Sequence, residues 1–137
     1  MFMDGTIYAI LSRNLSVGLG SFWQPHVTDT LFPVFVEHPP LAFGIESILF
    51  RIFGDSRFVE RFYSILTIVI TAIIIVSIWR LILKKSSTGW IPVFLWITMP
   101  TVNWASVNHM LENTLAIFIC LSVLFYLKSL HSGRILF

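Results

Sequence analysis

The chain is poor in charge. Asp, Glu, Lys and Arg together make 12% of its 137 residues, about half of the roughly 25% usual in a soluble domain. Nine Lys and Arg against seven Asp and Glu leave a net charge of +2, too little positive field to gather nucleic acid. The single cysteine, Cys120, excludes an internal disulfide and a cysteine-based zinc site. Within its apolar run it reads as a packing residue. The opening stretch "MFMDGTIYAI" lacks both a basic leader and an uninterrupted apolar core, so it does not read as a secretory signal. Neither an internal repeat nor a low-complexity segment is present. What remains is mostly hydrocarbon: 56% hydrophobic residues, thirteen Phe and five Trp, with a mean hydropathy of +0.85. Aromatic side chains settle at bilayer interfaces, so this composition indicates a membrane protein.

Three apolar stretches follow one another in the second half. Phe62 to Trp79, "FYSILTIVITAIIIVSIW", holds no charge and is bounded by Arg61 and Arg80. Its length at 1.5 Å per residue is about 27 Å, enough to cross a hydrocarbon core. A second stretch runs from Ser86 to Leu111 and a third from Asn113 to Leu127, extended on both sides by Met110, Leu111, Ser129 and Leu130. Three transmembrane helices are expected, at about 62–83, 90–108 and 110–130. Pro92 and Pro100 fall in the second, which predicts a kink or unwound turn near residue 100. Runs this long and apolar argue against buried helices of a soluble core.

Charge placement orients the spans. Arg80, Lys84 and Lys85 lie between the first two spans and Lys128 and Arg134 after the third, with no acid among them. Those loops are therefore expected on the cytoplasmic side, by the positive-inside rule. Residues 1–61 and the turn at 108–113 then share the outer side, although Arg13, Arg51, Arg57 and Arg61 lie there too.

The outer segment, residues 1–61, carries two amphipathic patterns of the kind that lie on a membrane surface. Ile7, Leu11 and Leu15, with Tyr8 alongside, fall at helical spacing, while Thr6, Arg13 and Ser16 face elsewhere; Gly18 and Gly20 stop that helix. A second helix starts after Pro39–Pro40 with Leu41, Ile45, Ile48, Leu49 and Ile52 as one stripe. Glu46, Ser47 and Arg51 lie off the stripe, Gly54 ends the helix, and Asp55–Ser56 caps the next. The fold class is thus all-α integral membrane, an outer loop with two surface helices followed by three transmembrane helices.

Polar outer residues form three groups in sequence: Asp4 with Tyr8 and Arg13; Glu37–His38 in "FVEHPPLAFG"; and Asn108–His109 with Glu112–Asn113. A carboxylate beside apolar surface can serve as a general base toward a hydroxyl, and a nearby cation can stabilise an anionic leaving group. Each group also has a plainer reading. Asp4 suits a helix cap, Glu37–His38 a rigid turn before Pro-Pro, and Glu112 the positive end of a helix dipole. Arg57 and Arg61 suit interfacial anchoring. Glu37, His38 and His109 have the right donor atoms for a divalent metal, but no metal-ligand spacing. A transporter would need ionisable groups in mid-span, and there are none. The residues alone leave two readings open: an enzyme, or a small polytopic binding or assembly protein whose polar residues only anchor it.

Taken in order, these motifs resemble the first outer loop of the C-type membrane glycosyltransferases, in the branch holding protein O-mannosyltransferases and lipid A aminoarabinose transferases. Asp4 matches the acidic residue that opens the loop, Tyr8–Ala9 a Tyr-Ala pair, and Arg13–Asn14 the Arg that follows. Glu37, His38, Pro39 and Pro40 match an aromatic-Glu-Lys/His-Pro-Pro step, Phe53–Gly54 an "FG", and Arg61 the Arg before the next span. Met110-Leu111-Glu112-Asn113 is similar to the acidic motif that starts a later span. No single motif is specific; the ordered set is.

The resemblance implies inverting transfer of a sugar from a polyisoprenyl-phosphate donor to a hydroxyl of a lipid, glycan or protein acceptor, on the outer face of a bacterial inner membrane. Asp4 would be the base, with Tyr8, Arg13, Glu37, His38, Arg61 and Glu112 binding substrate. Arg13, Arg61 and His38 would steady the departing lipid phosphate. No cofactor beyond the lipid-linked donor is implied; Glu37 and His38 are the residues a divalent metal would use. Gly5 stands where a second acid is common and His38 where Lys is frequent, which suggests a sub-branch with a different sugar or acceptor. Members of that family carry a span before the acidic residue and many after the third, so the chain reads as a fragment of one larger domain.

Overall fold

The computed structural model describes residues 3–84 and 87–132, with the side chain of Ser132 excepted. The lysine at 85 and the arginine at 134, both used above to orient the spans, lie outside the described residues. Among the described residues six helices follow in order: α1 (Met3–Ser16), α2 (Leu41–Phe53), α3 (Arg57–Leu83), α4 (Trp90–Ile97), α5 (Pro100–Val107) and α6 (Glu112–Ser132). Among the described residues there is no strand beyond one isolated bridge between Gly20 and Pro25. The chain divides into two compact units, residues 1–65 with 107–111, and residues 66–106 with 112–137.

In the first unit α1 packs on α2. Tyr8, Leu11 and Leu15 are buried on α1 as the spacing predicts, joined by Gly5, Ala9 and Ser12. The helix ends in a Schellman motif. Gly18 takes φ +82°, its N–H bonds Leu15 O at 3.3 Å, and Leu19 N–H reaches back to Asn14 O at 2.8 Å. Arg51 of α2 closes the same end, donating from Nε to Ser16 O and from Nη2 to Leu15 O, each at 3.2 Å. The long connection to α2 is held by Asn14, whose Nδ2 donates to both His26 O and Val27 O at 2.8 Å. Val27 and Phe35 bury their side chains beneath it.

α2 starts after Pro40 and stops at Gly54 (φ +80°), as expected from the sequence. Its apolar stripe faces outward. Ala42, Phe43, Glu46, Ser47 and Phe50 face the protein, whereas Leu41, Ile48 and Ile52 of the apolar stripe are exposed. A stripe buried in a water-soluble fold is left outward here, and an outward face of this kind is stable against lipid rather than water. Ser56 caps α3 through Phe58 N–H to its Oγ at 3.2 Å.

Among the described residues two helices are long and apolar enough to cross a membrane, α3 and α6. At 27 and 21 residues they measure about 40 and 32 Å. Many of their large side chains, among them Val69, Ile73, Ile82, Phe118 and Phe125, are exposed. The expected single helix over 90–108 is instead two eight-residue helices, α4 and α5, neither long enough to span alone. Pro100 has no N–H to offer Trp96, so the ladder breaks there. The break is patched locally: Met99 N–H takes Trp96 O at 3.2 Å, Asn103 Nδ2 takes Ile97 O at 2.7 Å, and Thr98 Oγ1 takes Phe94 O at 2.9 Å. In the second unit Asn113 also donates to Ala105 O at 3.1 Å, tying the start of α6 to α5.

Gly5 is the tightest point of the first unit. A Cβ placed there would stand 1.8 Å from the backbone oxygen of Asn108, whereas one at Gly18 would meet open space. Gly5→Ala therefore has to move a backbone, and it is expected to cost more than the usual 1–3 kcal/mol or so of overpacking. Gly18→Ala costs only its left-handed strain, about 1 kcal/mol. Thermal unfolding in detergent is expected to rank them in that order; equal shifts would mean that α1 does not lie against residue 108.

Candidate functional site

The residues expected to act together on α1 point two ways. Asp4 and Tyr8 are one turn apart and share a face. Arg13 follows nine residues after Asp4, about half a revolution round. The Asp4 carboxylate is half-buried in the first turn of α1, inside the helix rather than at a cap. Among the described residues it makes no ion pair. Tyr8 is buried, with its ring edge-on to His38 at 5.6 Å and tilted against Phe43 at 5.7 Å. Phe35 completes this aromatic group, 5.8 Å from His38 and 6.0 Å from Phe43. Glu37 and His38 are exposed and line a cleft of about 320 Å³ with Pro39, Pro40 and Trp23.

On the other side of α1, Arg13 is already engaged. Its guanidinium pairs with Glu60, stands 3.0 Å from Asp55 and lies over the Phe50 ring at 5.4 Å. Arg61 donates from Nη1 to Val107 O at 2.6 Å and is otherwise exposed. With Arg57, Glu60 and Thr6 these arginines line a second cleft, of about 440 Å³. Three guanidiniums against one carboxylate in the lining leave it positive, which is the field an anionic group requires. Glu112 is exposed as the first residue of α6 and belongs to the other unit. Among the described residues no three His, Cys, Asp or Glu side chains converge on a metal position.

A third group was not legible as a unit. Glu46 of α2 and His109 are both buried, and the imidazole Nε2 faces both carboxylate oxygens at 3.0 and 3.1 Å. The other ring nitrogen, Nδ1, is 3.2 Å from Ser64 Oγ on α3, also buried. Tyr63 sets its ring 6.0 Å from the imidazole. His109 has φ +58°, so its backbone is held in the left-handed region by what surrounds it. The carboxylate–imidazole–hydroxyl chain ties α2, α3 and the turn at 107–111 together. Signals did exist: Glu46 and Ser47 stand opposite the apolar stripe, on the face that also holds small Ala42. Only a lipid environment makes that face the inner one.

Taken together, these features define an all-helical chain with two membrane-length helices and a polar, partly buried cluster in the first compact unit. It belongs to the dolichyl-phosphate-mannose-protein mannosyltransferase family, whose profile matches residues 37–136. The match begins at Glu37 and takes in the Pro-Pro step, Glu46, Ser64 and His109. A curated relative, the undecaprenyl phosphate-alpha-4-amino-4-deoxy-L-arabinose arabinosyl transferase 2 of Proteus mirabilis (strain HI4320), is 27% identical over 120 residues. That alignment covers 88% of this chain and 21% of the relative, so the chain spans about a fifth of the relative's length. No solved structure matches.

Removing one member of a buried carboxylate–imidazole pair leaves the other without its hydrogen-bond partner and costs about 1–3 kcal/mol or more. Glu46→Ala is accordingly expected to lower the unfolding temperature more than Arg51→Ala, whose exposed bonds carry about 1 kcal/mol. Circular dichroism melts in detergent compare the two directly. Parity between them would remove the Glu46–His109 pair from the stabilising interactions.

Proposed function

We propose that the chain is part of a membrane glycosyltransferase that moves a sugar from a polyisoprenyl-phosphate donor to a hydroxyl of a lipid, glycan or protein acceptor, with inversion. The observation that carries this reading is the family match over residues 37–136, joined to a half-buried carboxylate, Asp4, that no cation neutralises among the described residues. Such a carboxylate is available to take a proton. In the proposed step Asp4 removes the acceptor O–H proton as that oxygen attacks the anomeric carbon. The bond from that carbon to the phosphate oxygen breaks, and its electron pair leaves on the polyprenyl phosphate.

Arg13 is held by Glu60 and Asp55, so its role passes to positioning; Arg61 and Arg57 are the cations open to the leaving phosphate. Tyr8 shares the Asp4 face of α1 and meets the His38 ring at 5.6 Å; with Glu37, both are assigned to substrate contact. Glu112 is assigned to the same task from the start of α6. We read residues 1–61 as extracytoplasmic at a bacterial inner membrane and 90–108 as a broken second span. The broken backbone near Pro100, with its carbonyls answered by Asn103 and Thr98, is compatible with membrane depth.

The test is transfer from a radiolabelled polyprenyl-phosphate sugar pool in membranes containing the protein. Asp4→Asn keeps the shape and removes the base, and is expected to reduce transfer by about 100-fold or more while insertion is unchanged. Full transfer by that variant would move the base to Glu37 or Glu112; none by wild type would favour a binding or assembly role.

A further inference from the structure

Two helices of the second compact unit look onto one cleft of about 830 Å³. Ile73, Ser77 and Arg80 line it from α3, and Trp90, Phe94 and Ile97 line it from α4. Each set falls at i, i+4 and i+7, so each marks one side of its helix. The turn at 87–89 closes one end, where Ser87 and buried Gly89 join the lining. Trp79 holds that turn, its Nε1 donating to Thr88 Oγ1 at 3.0 Å. The lining is graded along its length: Arg80 and Trp90 stand next to the turn, and Ile73 and Ile97 are furthest from it along each helix. Arg80 lies in the last turn of α3 with Lys84 just beyond, both exposed. No Asp or Glu occurs from 61 to 111, and among the described residues Arg80 makes no ion pair. Trp90 is exposed beside it, as an indole settling at the edge of a bilayer would be.

We propose that this cleft binds an anionic phospholipid, with its phosphate at Arg80 and one acyl chain between α3 and α4 toward Ile73 and Ile97. The ligand has to be amphipathic because the lining is. A guanidinium offers a phosphate a full charge and two parallel hydrogen bonds. Beyond it the described lining is polar only at Ser77, whose hydroxyl is already given to Ile73 O at 2.8 Å. A free anion gains nothing from such a wall, whereas an acyl chain does. The volume lies within the range of ligand pockets, about 300–1,000 Å³. Basic pockets between transmembrane helices on the cytoplasmic side are known seats of acidic head groups. An arginine at the end of a span also anchors it by reaching for water, but an anchor alone needs no apolar cleft behind it. The place is distinct from the one proposed for the leaving phosphate, since Arg57 opens α3 and Arg80 closes it. With the orientation proposed above, the lipid comes from the cytoplasmic leaflet; the binding itself depends neither on that orientation nor on the transferase reading.

The protein in detergent is titrated with phosphatidylglycerol and, separately, with phosphatidylcholine of the same chains, and bound lipid is counted by native mass spectrometry. Saturable binding of phosphatidylglycerol ahead of phosphatidylcholine is expected. Arg80→Gln is expected to weaken it about fivefold or more, the effect of one basic residue on an acidic lipid. Val93→Trp, which fills the cleft from α4 and leaves the charge in place, is expected to weaken both lipids alike. Glycerol phosphate, a head group without chains, is expected not to compete. In wild type, a phosphatidylglycerol bearing a diazirine in its chain is expected to label α3 and α4. Equal binding of the two lipids, or binding indifferent to both variants, overturns the proposal. So does labelling that falls outside α3 and α4, the result if another helix fills the cleft. Displacement by glycerol phosphate would also overturn it, leaving Arg80 as a site for free phosphate.

Discussion

A buried carboxylate facing a buried imidazole is the constraint around which the first unit is arranged. Glu46 and His109 are 63 positions apart in sequence and within 3.1 Å in space. Neither group tolerates an apolar surround alone, so α2 and the turn at 107–111 must meet wherever either is buried. Ser64 brings α3 to the same point through the second ring nitrogen. Gly5 brings α1, since only a residue without a side chain allows the helix to lie against the Asn108 carbonyl. The absence of a second acid after Asp4 thus has a steric reason: a side chain at residue 5 has no room.

The same contact places Asp4. Its neighbour Gly5 is clamped, so the first turn of α1 cannot drift relative to residues 107–111. Arg13 and Arg51 fix the far end of that helix, one through Glu60 and Asp55 and the other through the last carbonyls. Between these fixed ends the two faces of α1 look onto different surroundings. One holds Tyr8 among Phe35, His38 and Phe43, and the other lines the arginine cleft.

Much of this was readable in the chain itself. Low charge, long apolar runs and the positions of Gly18, Pro40, Gly54 and Ser56 determined which segments are helical and where they stop, because caps and breakers act over a turn or less. Pro100 announced the interruption of the 90–108 stretch for the same local reason. The ordered motifs from Asp4 to Glu112 pointed to the family before any geometry was known. What the inner face of α2 meets was decided only in three dimensions, because a helical stripe tells that two faces differ and not which residues lie against them. The partnership of Glu46, Ser64 and His109, the spending of Arg13 on Glu60, and the parting of Tyr8 from Arg13 likewise belong to the tertiary structure. They depend on contacts across tens of residues, and neither spacing nor composition carries that distance.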